Sequence, residues 1–285
     1  MSELAKRIAF SLIAAPAVVV AVWFGGAALA ALLSIAAGLG AWEFYRLAKS
    51  CGEEPMWLHG IIGAALVPLG VHAQYLGLSV PPLGVLVLVV LELLAVALLW
   101  RGGRGKPLEV VGITILGIFY IGGMLSYAYA LRYHPYAIGA AAGAAVVVLP
   151  LFCTWATDIG GYVFGRWLGK RKLMPTVSPG KTVAGAIGGI ATSIVICLAY
   201  VQFVLRPVGS LTLSWWGAVI FAIAISVAGQ IGDLVESMLK REAGVKDSSR
   251  LIPGHGGVLD RVDSLLFTLP VAYVLLGFLL IPAPR

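Results

Sequence analysis

Long apolar runs recur along the whole chain, and each is interrupted by glycine, proline or charge before the next begins. A run of about 20 apolar residues is what an α-helix needs to cross the hydrocarbon core of a bilayer. Of the 285 residues 60% are hydrophobic and only 12% are charged, which is too little charge for the surface of an ordinary soluble domain. The short alternating strands of a transmembrane barrel are not visible in the sequence. The sequence therefore predicts an all-α polytopic integral membrane protein.

About nine transmembrane helices are predicted from these runs. They lie near residues 7–24, 26–45, 57–78, 80–100, 108–131, 137–160, 182–205, 213–239 and 262–282. The first run follows Lys6 and Arg7 and has no clear small-residue cleavage site, so we interpret it as a retained span and not as a signal peptide. The spans divide into an N-terminal region, 1–131, and a C-terminal region, 132–285, which carries two long polar loops at 166–181 and 240–261.

The basic residues indicate the orientation of these spans. With the N-terminus inside, all but three of the 20 lysines and arginines fall on the inner side, and the exceptions are Arg132, Arg206 and Arg285. Such asymmetry is the pattern of the positive-inside rule. We therefore expect a multi-pass protein of the cell (inner) membrane with a cytoplasmic N-terminus, an outer C-terminus and both polar loops in the cytoplasm. The formal charge of +7 is then orientation charge, and no nucleic-acid partner is predicted.

Acidic residues are concentrated near the end of the chain. Asp233 follows the apolar run WWGAVIFAIAISVAGQIG, and Asp158 interrupts another; a carboxylate at membrane depth is costly unless it is paired or bound to a cation. Asp260 and Asp263 lie one helical turn apart at the start of the last span, where an acid also fits the N-terminal end of a helix dipole. Hard oxygen ligands of this kind suit Mg²⁺. The predicted metal ligands are Asp233, Asp260, Asp263 and Asp158.

Cations and glycines are interleaved with these acids. The cations that could contact phosphates are Lys240, Arg241, Lys246, Arg250 and Arg261. The segment PGHGG, 253–257, lets the backbone approach a ligand closely. Within it, His255 has three open interpretations: general base, hydrogen-bond donor or structural residue. Orientation charge alone explains the number of cations but not the acids and glycines among them. The sequence contains neither a P-loop nor a GxGxxG motif, which argues against a nucleotide site of the soluble type.

A second polar segment follows Asp158. It reads TDIGGYVFGRWLGKRKLMPTVSPGKTVAG and covers residues 157–185. The SPGKT part opens the seventh predicted span, with Ser178 a candidate helix cap and Pro179 near the first turn. Capping and inner-side charge account for most of this segment, but they do not account for Asp158.

The polar segment near the C-terminus resembles the signature of a known family. Residues 237–263, SMLKREAGVKDSSRLIPGHGGVLDRVD, are similar to the signature of the phosphatidate cytidylyltransferases, also called CDP-diacylglycerol synthases. The positions that match with the right spacing are Ser237, Lys240, Arg241, Lys246, Asp247, Pro253, His255, Gly256, Gly257, Asp260, Arg261 and Asp263. The upstream SPGKTVAG departs from the family pattern S-P-K-K-T-x-E-G, since Gly180 and Ala184 replace the second lysine and the glutamate.

The resemblance implies a Mg²⁺-dependent transfer of CMP from CTP to phosphatidate, giving CDP-diacylglycerol and pyrophosphate, with room for a second cation. The implied partners are the substrates CTP and phosphatidate and the lipid bilayer, and the family favours a homodimer. With the charge pattern above, the residues predicted to be catalytic are Asp233, Asp260, Asp263, His255, Lys240 and Arg261. The residues predicted to contact substrate or phosphate are Ser237, Arg241, Lys246, Asp247, Gly256, Gly257, Ser178, Lys181 and Thr182.

Other functions remain open at this point. A related enzyme acting on another lipid phosphate, such as an isoprenoid ether lipid, would differ only in the shape of an apolar cavity. An ion-coupled transporter would use Asp158 and Asp233 as an intramembrane ion site, but it has no need of the loop 237–263. A CDP-alcohol phosphatidyltransferase is excluded, because its D-x-x-D-G-x-x-A-R pattern is absent.

Overall fold

The structure is a computed structural model that describes residues 3–78, 82–101, 106–252, 254 and 256–283. The chain is mostly helical. Its α-helices are α1 Glu3–Phe24, α2 Gly26–Ser50, α3 Trp57–Tyr75, α4 Pro82–Arg101, α5 Pro107–Gly117, α6 Met124–Arg132, α7 Gly139–Leu168, α8 Val183–Tyr200, α9 Arg206–Gly209, α10 Trp215–Glu242 and α11 Leu259–Leu279. Two antiparallel strand pairs join β1 Lys172–Met174 to β2 Ser178–Thr182, and β3 Leu211–Leu213 to β4 Leu280–Pro282.

Each predicted apolar run coincides with helical structure. Among the described residues, six helices have the length and composition of a membrane span: Gly26–Ser50, Pro107–Arg132, Gly139–Leu168, Val183–Gly209, Trp215–Glu242 and Leu259–Leu279. Two shorter apolar stretches, Ala14–Phe24 and Gly84–Leu99, lie in α1 and α4. The fold is therefore that of a helical membrane protein with six candidate spans in the described part of the chain.

The helix bounds differ from the predicted spans in instructive ways. A π-helical segment, Ile118–Gly123, joins α5 to α6, and another, Val201–Leu205, joins α8 to α9. The 30 residues of α7 amount to about 45 Å, which exceeds the roughly 30 Å hydrocarbon core. The predicted polar loop 166–181 consequently begins as helix and continues as the β1–β2 hairpin, in which Lys172 pairs with Thr182 and Met174 with Ser178.

The chain forms two compact units, and the first comprises Met1–Tyr129 together with Glu242–Arg261. The ring of Tyr45 is fully buried within it. A Cβ atom at either Gly60 or Gly117 would overlap this ring, so these two glycines make the space that the ring fills. The Tyr45 hydroxyl donates to the carbonyl of Thr114 at 2.7 Å, and the Thr114 hydroxyl accepts from the backbone N–H of Met56 at 3.0 Å.

The second unit comprises Ala130–Arg241 and Val262–Arg285, so the boundary between the units falls inside α11. In this unit α7 and α8 pack closely through glycines. A Cβ at Gly189 would lie 2.8 Å from the carbonyl oxygen of Thr157, and one at Gly160 would overlap Thr192. Small residues that let backbones approach are the usual means of helix association in membranes. Farther along the same pair, the Tyr200 hydroxyl donates to the carbonyl of Ala145 at 2.9 Å.

A second close contact within this unit joins α10 to α11. A Cβ at Gly232 would lie 2.6 Å from the carbonyl oxygen of Asp263 and 3.1 Å from Cα of Ser264. Glycine at position 232 is therefore what allows the two backbones to meet at this level. Because Asp233 is the next residue on α10, the contact sets the depth of Asp233 close to that of Asp263.

Candidate active site

The centre of the candidate site in the second unit is an ion pair between Asp233 of α10 and Lys181 of β2. The Lys181 Nζ donates to Asp233 Oδ2 at 2.7 Å, and the two side chains are 25% and 33% exposed. The other carboxylate oxygen, Oδ1, accepts from the Ser237 hydroxyl at 3.3 Å, one helical turn away. The sequence predicted functional roles for all three residues, and the structure brings them together.

The β1–β2 hairpin holds Lys181 in position. Val183 at the start of α8 donates its backbone N–H to the carbonyl of Arg171 at 3.0 Å, and Arg241 near the end of α10 donates to the carbonyl of Val177 at 3.4 Å. The N-cap of α8 is Thr182, whose hydroxyl accepts from the N–H of Gly185 at 3.1 Å. The prediction that Ser178 caps this helix was wrong, because residues 178–182 form a strand.

Asp158 of α7 and the ion pair border the same cavity. Its volume is about 520 Å³, and its polar lining is supplied by Thr157, Asp158, Tyr162, Lys181, Thr182, Gln230 and Asp233. The Gln230 amide donates to the carbonyl of Ala186 at 3.3 Å and to the Ser226 hydroxyl at 3.2 Å, which fixes one polar wall. Asp158 interacts electrostatically with Asp233 and Lys181. An intramembrane acid thus faces a cavity that already contains a cation.

Asp263 of α11 lies close to the same charges. It interacts electrostatically with Asp233, Lys240 and Asp158, and its Oδ1 accepts from the N–H of Ser264 at 2.6 Å. Lys240, predicted to contact phosphate, forms an ion pair with Glu236, which is fully buried. The second unit therefore gathers carboxylates from three helices around two lysines.

Asp260, the fourth predicted metal ligand, belongs to the first unit. Its Oδ2 lies within hydrogen-bond distance of three donors: the Ser248 N–H at 3.0 Å, the Ser248 hydroxyl at 2.8 Å and the Gly257 N–H at 2.7 Å. It stands in the first turn of α11. Asp260 thus connects the start of this helix to the loop that precedes it, as the N-terminal interpretation of the sequence allows.

A carboxylate that the sequence did not draw attention to lies beside Asp260. Glu43 of α2 is fully buried, and its Oε1 accepts from the Ser249 hydroxyl at 2.6 Å and the Val258 N–H at 3.0 Å. Its Oε2 accepts from the Leu259 N–H at 2.6 Å and the Ser248 hydroxyl at 3.1 Å. The signal that could have found it is the one that found Asp158 and Asp233, namely an acid inside an apolar run.

The basic part of the same loop borders a second cavity, of about 440 Å³, within the first unit. Its charged lining residues are Arg46, Lys246, Asp247 and Arg250. Arg46, at the end of α2, was counted from the sequence only as orientation charge, and its guanidinium also stacks on the Trp42 ring, 4.8 Å from the centroid. With three cations and one acid, this cavity is suited to an anion such as a phosphate group.

The comparison with protein families connects these features. The model of the cytidylyltransferase family matches residues 5–279, which is nearly the whole chain. The chain belongs to the cytidylyltransferase family. The signature resemblance seen in the sequence at 237–263 is thereby confirmed as membership of this family over both units.

Curated relatives of this cytidylyltransferase family member are bacterial. It is 41% identical over 162 residues to a protein of Staphylococcus saprophyticus named phosphatidate cytidylyltransferase, an alignment that covers 57% of each chain. It is 45% identical over 130 residues to a protein of the same name from Staphylococcus aureus, covering 46% of this chain and 48% of the relative. The chain thus spans about half the length of the curated relatives that it matches.

The cytidylyltransferase signature is distributed over both units. Arg241 is exposed at the end of α10, and Arg261 is exposed in the first turn of α11. Gly256 has φ of +80°, a left-handed conformation that favours glycine, and its carbonyl accepts from the N–H of Ile252 at 2.9 Å. Pro253 and His255 lie outside the described residues, so the three interpretations of His255 remain open.

The donor chemistry of the second unit fits a hard divalent cation. The carboxylates of Asp158, Asp233 and Asp263 are oxygen ligands of the type that Mg²⁺ prefers. In the described part of the chain, no three acidic, histidine or cysteine side chains stand close enough to enclose a metal ion by themselves. Mg²⁺ is usually bound through one or two carboxylates and completes its shell with water and substrate phosphates.

Proposed function

We propose that this protein is a phosphatidate cytidylyltransferase that acts in phospholipid biosynthesis. An oxygen of the phosphatidate phosphate attacks the α-phosphorus of CTP, the bond from that phosphorus to the β-phosphate oxygen breaks, and pyrophosphate leaves. The products are CDP-diacylglycerol and pyrophosphate. The observation that carries the proposal is the Lys181–Asp233 pair, which faces Asp158 across a cavity within an apolar helical unit. Family membership and the names of the relatives support it.

The reaction requires charge neutralisation and alignment more than a strong base, because the lipid phosphate is already an anionic nucleophile. Lys181 borders the cavity and can donate to a phosphate oxygen without leaving Asp233, since an ammonium has three donors. Arg241 and Arg261 are exposed and chemically suited to the triphosphate. Lys246, Asp247 and Arg250 surround the second cavity, and we assign phosphate contacts to them as well. Ser178, Thr182, Gly256 and Gly257 remain predicted substrate contacts.

We further propose that Mg²⁺ is held by Asp233 and Asp263, with Asp158 and Asp260 as additional ligands or ligands of a second cation. The mutual electrostatic interaction of the first three carboxylates supports this assignment. When bound, the ion would neutralise charge on the triphosphate. The Gly232 contact holds Asp233 and Asp263 at a similar depth, and Lys181 pairs with Asp233.

The proposed topology has nine spans, a cytoplasmic N-terminus, an outer C-terminus and the polar loops on the cytoplasmic side of the cell membrane. Helical structure at each of the predicted apolar runs supports it, as does the distribution of lysine and arginine. CTP then reaches the site from the cytoplasm and phosphatidate from the inner leaflet. A homodimer is the proposed assembly, and light scattering of the detergent-solubilised protein tests it.

Transfer of label from CTP to lipid by the purified protein tests the proposed reaction. Radiolabelled CTP should enter a lipid product when phosphatidate and Mg²⁺ are present, and should not do so when EDTA is added or when Asp263→Asn replaces the wild type. A panel of lipid phosphates, including an isoprenoid ether lipid phosphate, decides between the proposed substrate and its alternative. If no lipid phosphate accepts the label from a folded protein, the proposed function is wrong, and an ion-coupled transport assay in vesicles becomes the next experiment.

A further inference from the structure

The contacts of Glu43 are unusual for a residue in the last third of α2, directly after its apolar part. Its carboxylate is completely buried, and it lies within hydrogen-bond distance of two backbone N–H groups and two serine hydroxyls. All four donors come from the segment 248–259, more than 200 residues away in sequence. Each carboxylate oxygen has two of these donors within reach.

These contacts cap α11 from a distant helix. The first backbone N–H groups of any helix have no partner within the helix, and a negative charge near them is favourable. Val258 precedes α11 and Leu259 begins it, and both donate to Glu43. The carboxylate of α2 therefore fixes where α11 begins and how its first turn is oriented.

The same contacts reach Asp260 through one serine. The Ser248 hydroxyl lies 3.1 Å from Oε2 of Glu43 and 2.8 Å from Oδ2 of Asp260. A hydroxyl has one proton, so it is shared between the two carboxylates and couples their positions. Gly257 is close-packed between them, because a Cβ there would overlap both Glu43 and the Ser248 hydroxyl.

We infer that Glu43 is a positioning residue for the proposed cytidylyl transfer, acting through Ser248 and the first turn of α11 to hold Asp260 in its working orientation. This inference rests on the proposed function. It assigns a role to a residue of α2, outside the signature segment, and it explains why an apolar helix carries a buried acid whose partners lie in the signature loop.

Three substitutions separate this role from a general effect on folding. Glu43→Gln keeps the size of the side chain but turns an amide NH₂ toward groups that are themselves donors. Glu43→Asp keeps all the acceptors on a shorter stem. Ser249→Ala removes one donor and leaves the carboxylate in place, so it serves if Glu43→Gln fails to fold. Glu109→Gln is the matched control, because it is the same chemical change in an exposed pair with Lys106.

Two measurements are made on each purified full-length variant in detergent. The first is hydrogen–deuterium exchange of peptides covering 248–260, with peptides from α8 as the internal reference. The second is steady-state transfer of label from CTP to phosphatidate, with kcat and the KM for CTP determined separately. We expect Glu43→Gln to raise exchange in 248–260 by at least about tenfold without changing α8, and to lower kcat by at least about tenfold. Glu43→Asp should recover part of both.

The outcomes distinguish failure of this inference from failure of the proposed function. Unchanged exchange in 248–260 in both Glu43→Gln and Ser249→Ala would overturn the inference. Faster exchange with kcat equal to that of Glu109→Gln would also overturn it, since Glu43 would then hold the loop without serving the reaction. If wild-type protein transfers no label to any lipid phosphate, the proposed function fails, and the inference fails with it even where the exchange result shows that Glu43 holds the loop.

Discussion

Lys181 Nζ lies 2.7 Å from Asp233 Oδ2, which joins the end of a short hairpin to the last third of α10. Asp233 follows a long apolar run, where an unpaired charge costs roughly 2.5–3.5 kcal/mol on insertion scales. The lysine offsets part of this cost before any ligand binds. It also means that a divalent cation approaching Asp233 meets a positive charge already in place, so the two cations oppose each other electrostatically.

This opposition leads to a prediction about Mg²⁺. In thermal unfolding of the detergent-solubilised protein, Mg²⁺ should raise the melting temperature of wild type, because a ligand stabilises the state that binds it. Asp233→Asn should reduce this rise, and Lys181→Gln should preserve or enlarge it, although both should lose activity. Without metal, Asp233→Asn should alter the free energy of unfolding by no more than about 1 kcal/mol, since the pair is partly exposed.

Lys172→Gln is the matched control for this experiment, because Lys172 is an exposed lysine of the same hairpin. It should behave as wild type in both the presence and the absence of Mg²⁺. Loss of the Mg²⁺ effect in Lys181→Gln as complete as that in Asp233→Asn would contradict the assignment of Asp233 as a ligand of the cation.

Asp263→Asn should abolish turnover while leaving the fold intact. The substitution retains an oxygen able to accept from the Ser264 N–H but removes the charge that faces Asp233 and Lys240. We expect kcat to fall by about a hundredfold or more, which corresponds to about 2.7 kcal/mol, with an unchanged melting temperature in the absence of metal. Glu109→Gln, the exposed control, should keep its activity. Near-normal kcat in Asp263→Asn would remove Asp263 from the proposed site.

Gly232→Ala should destabilise the protein through the contact between α10 and α11. The added Cβ would lie 2.6 Å from the carbonyl oxygen of Asp263, and overpacking of this kind typically costs about 1–3 kcal/mol. Gly277→Ala in α11 is the control, since a Cβ there meets no atom within 4 Å and alanine favours helix over glycine. Thermal unfolding should show a lower melting temperature for the first variant only. Equal melting temperatures would mean that the helices separate there without cost.

Cys51 offers a native test of the topology. It is the exposed cysteine at the end of α2, whereas Cys153 and Cys197 are buried. A membrane-impermeant maleimide should therefore label Cys51 from the cytoplasmic face alone. Ser210→Cys in a Cys51→Ser background should label from the outer face alone, because Ser210 is exposed between α9 and β3. Labelling of Cys51 from outside would contradict the proposed orientation.

The rate of that labelling should depend on pH in a defined way. Burial, together with the negative charges of Glu242 and Glu53, raises the pKa of the Cys51 thiol. A raised pKa means less thiolate near neutral pH, so labelling should be slower than that of an ordinary exposed thiol and should increase as the pH rises. Glu53→Gln removes one of these charges and should accelerate labelling by about two- to threefold at pH 7.5. An unchanged rate would show that Glu53 does not act on the thiol.

The sequence was sufficient to predict the helical segments and many residues of the candidate site in the second unit. Apolar runs of membrane length fixed the positions of the helical segments, and the cost of intramembrane charge singled out Asp158 and Asp233. The three-residue spacing of Asp260 and Asp263 placed both on the first turns of α11. The pairing of Lys181 with Asp233, however, depends on the β1–β2 hairpin. Its strands, KLM and SPGKT, are too short to show the alternation of apolar and polar residues that predicts a strand, and the second contains proline and glycine.

The role of Glu43 shows why the rest could not be predicted. Its partners Ser248, Ser249, Val258 and Leu259 lie more than 200 residues away, and no local pattern connects them. Helix packing in this protein also depends on close glycine contacts such as those at Gly189 and Gly232. The sequence does not show which helix faces such glycines bring together.

The distance along the chain between Glu43 and its partners also sets an order of events during biosynthesis. The ribosome adds Glu43 205 residues before Ser248, which at 5–20 residues per second is an interval of roughly 10–40 s. Throughout that interval the nascent chain carries an acid in its second helix with none of its final donors yet made. The loop that supplies these donors is made only after α3 to α10. Assembly of the first unit therefore waits for residues 248–259, and a chain that stops short of α11 leaves Glu43 without its full set of donors.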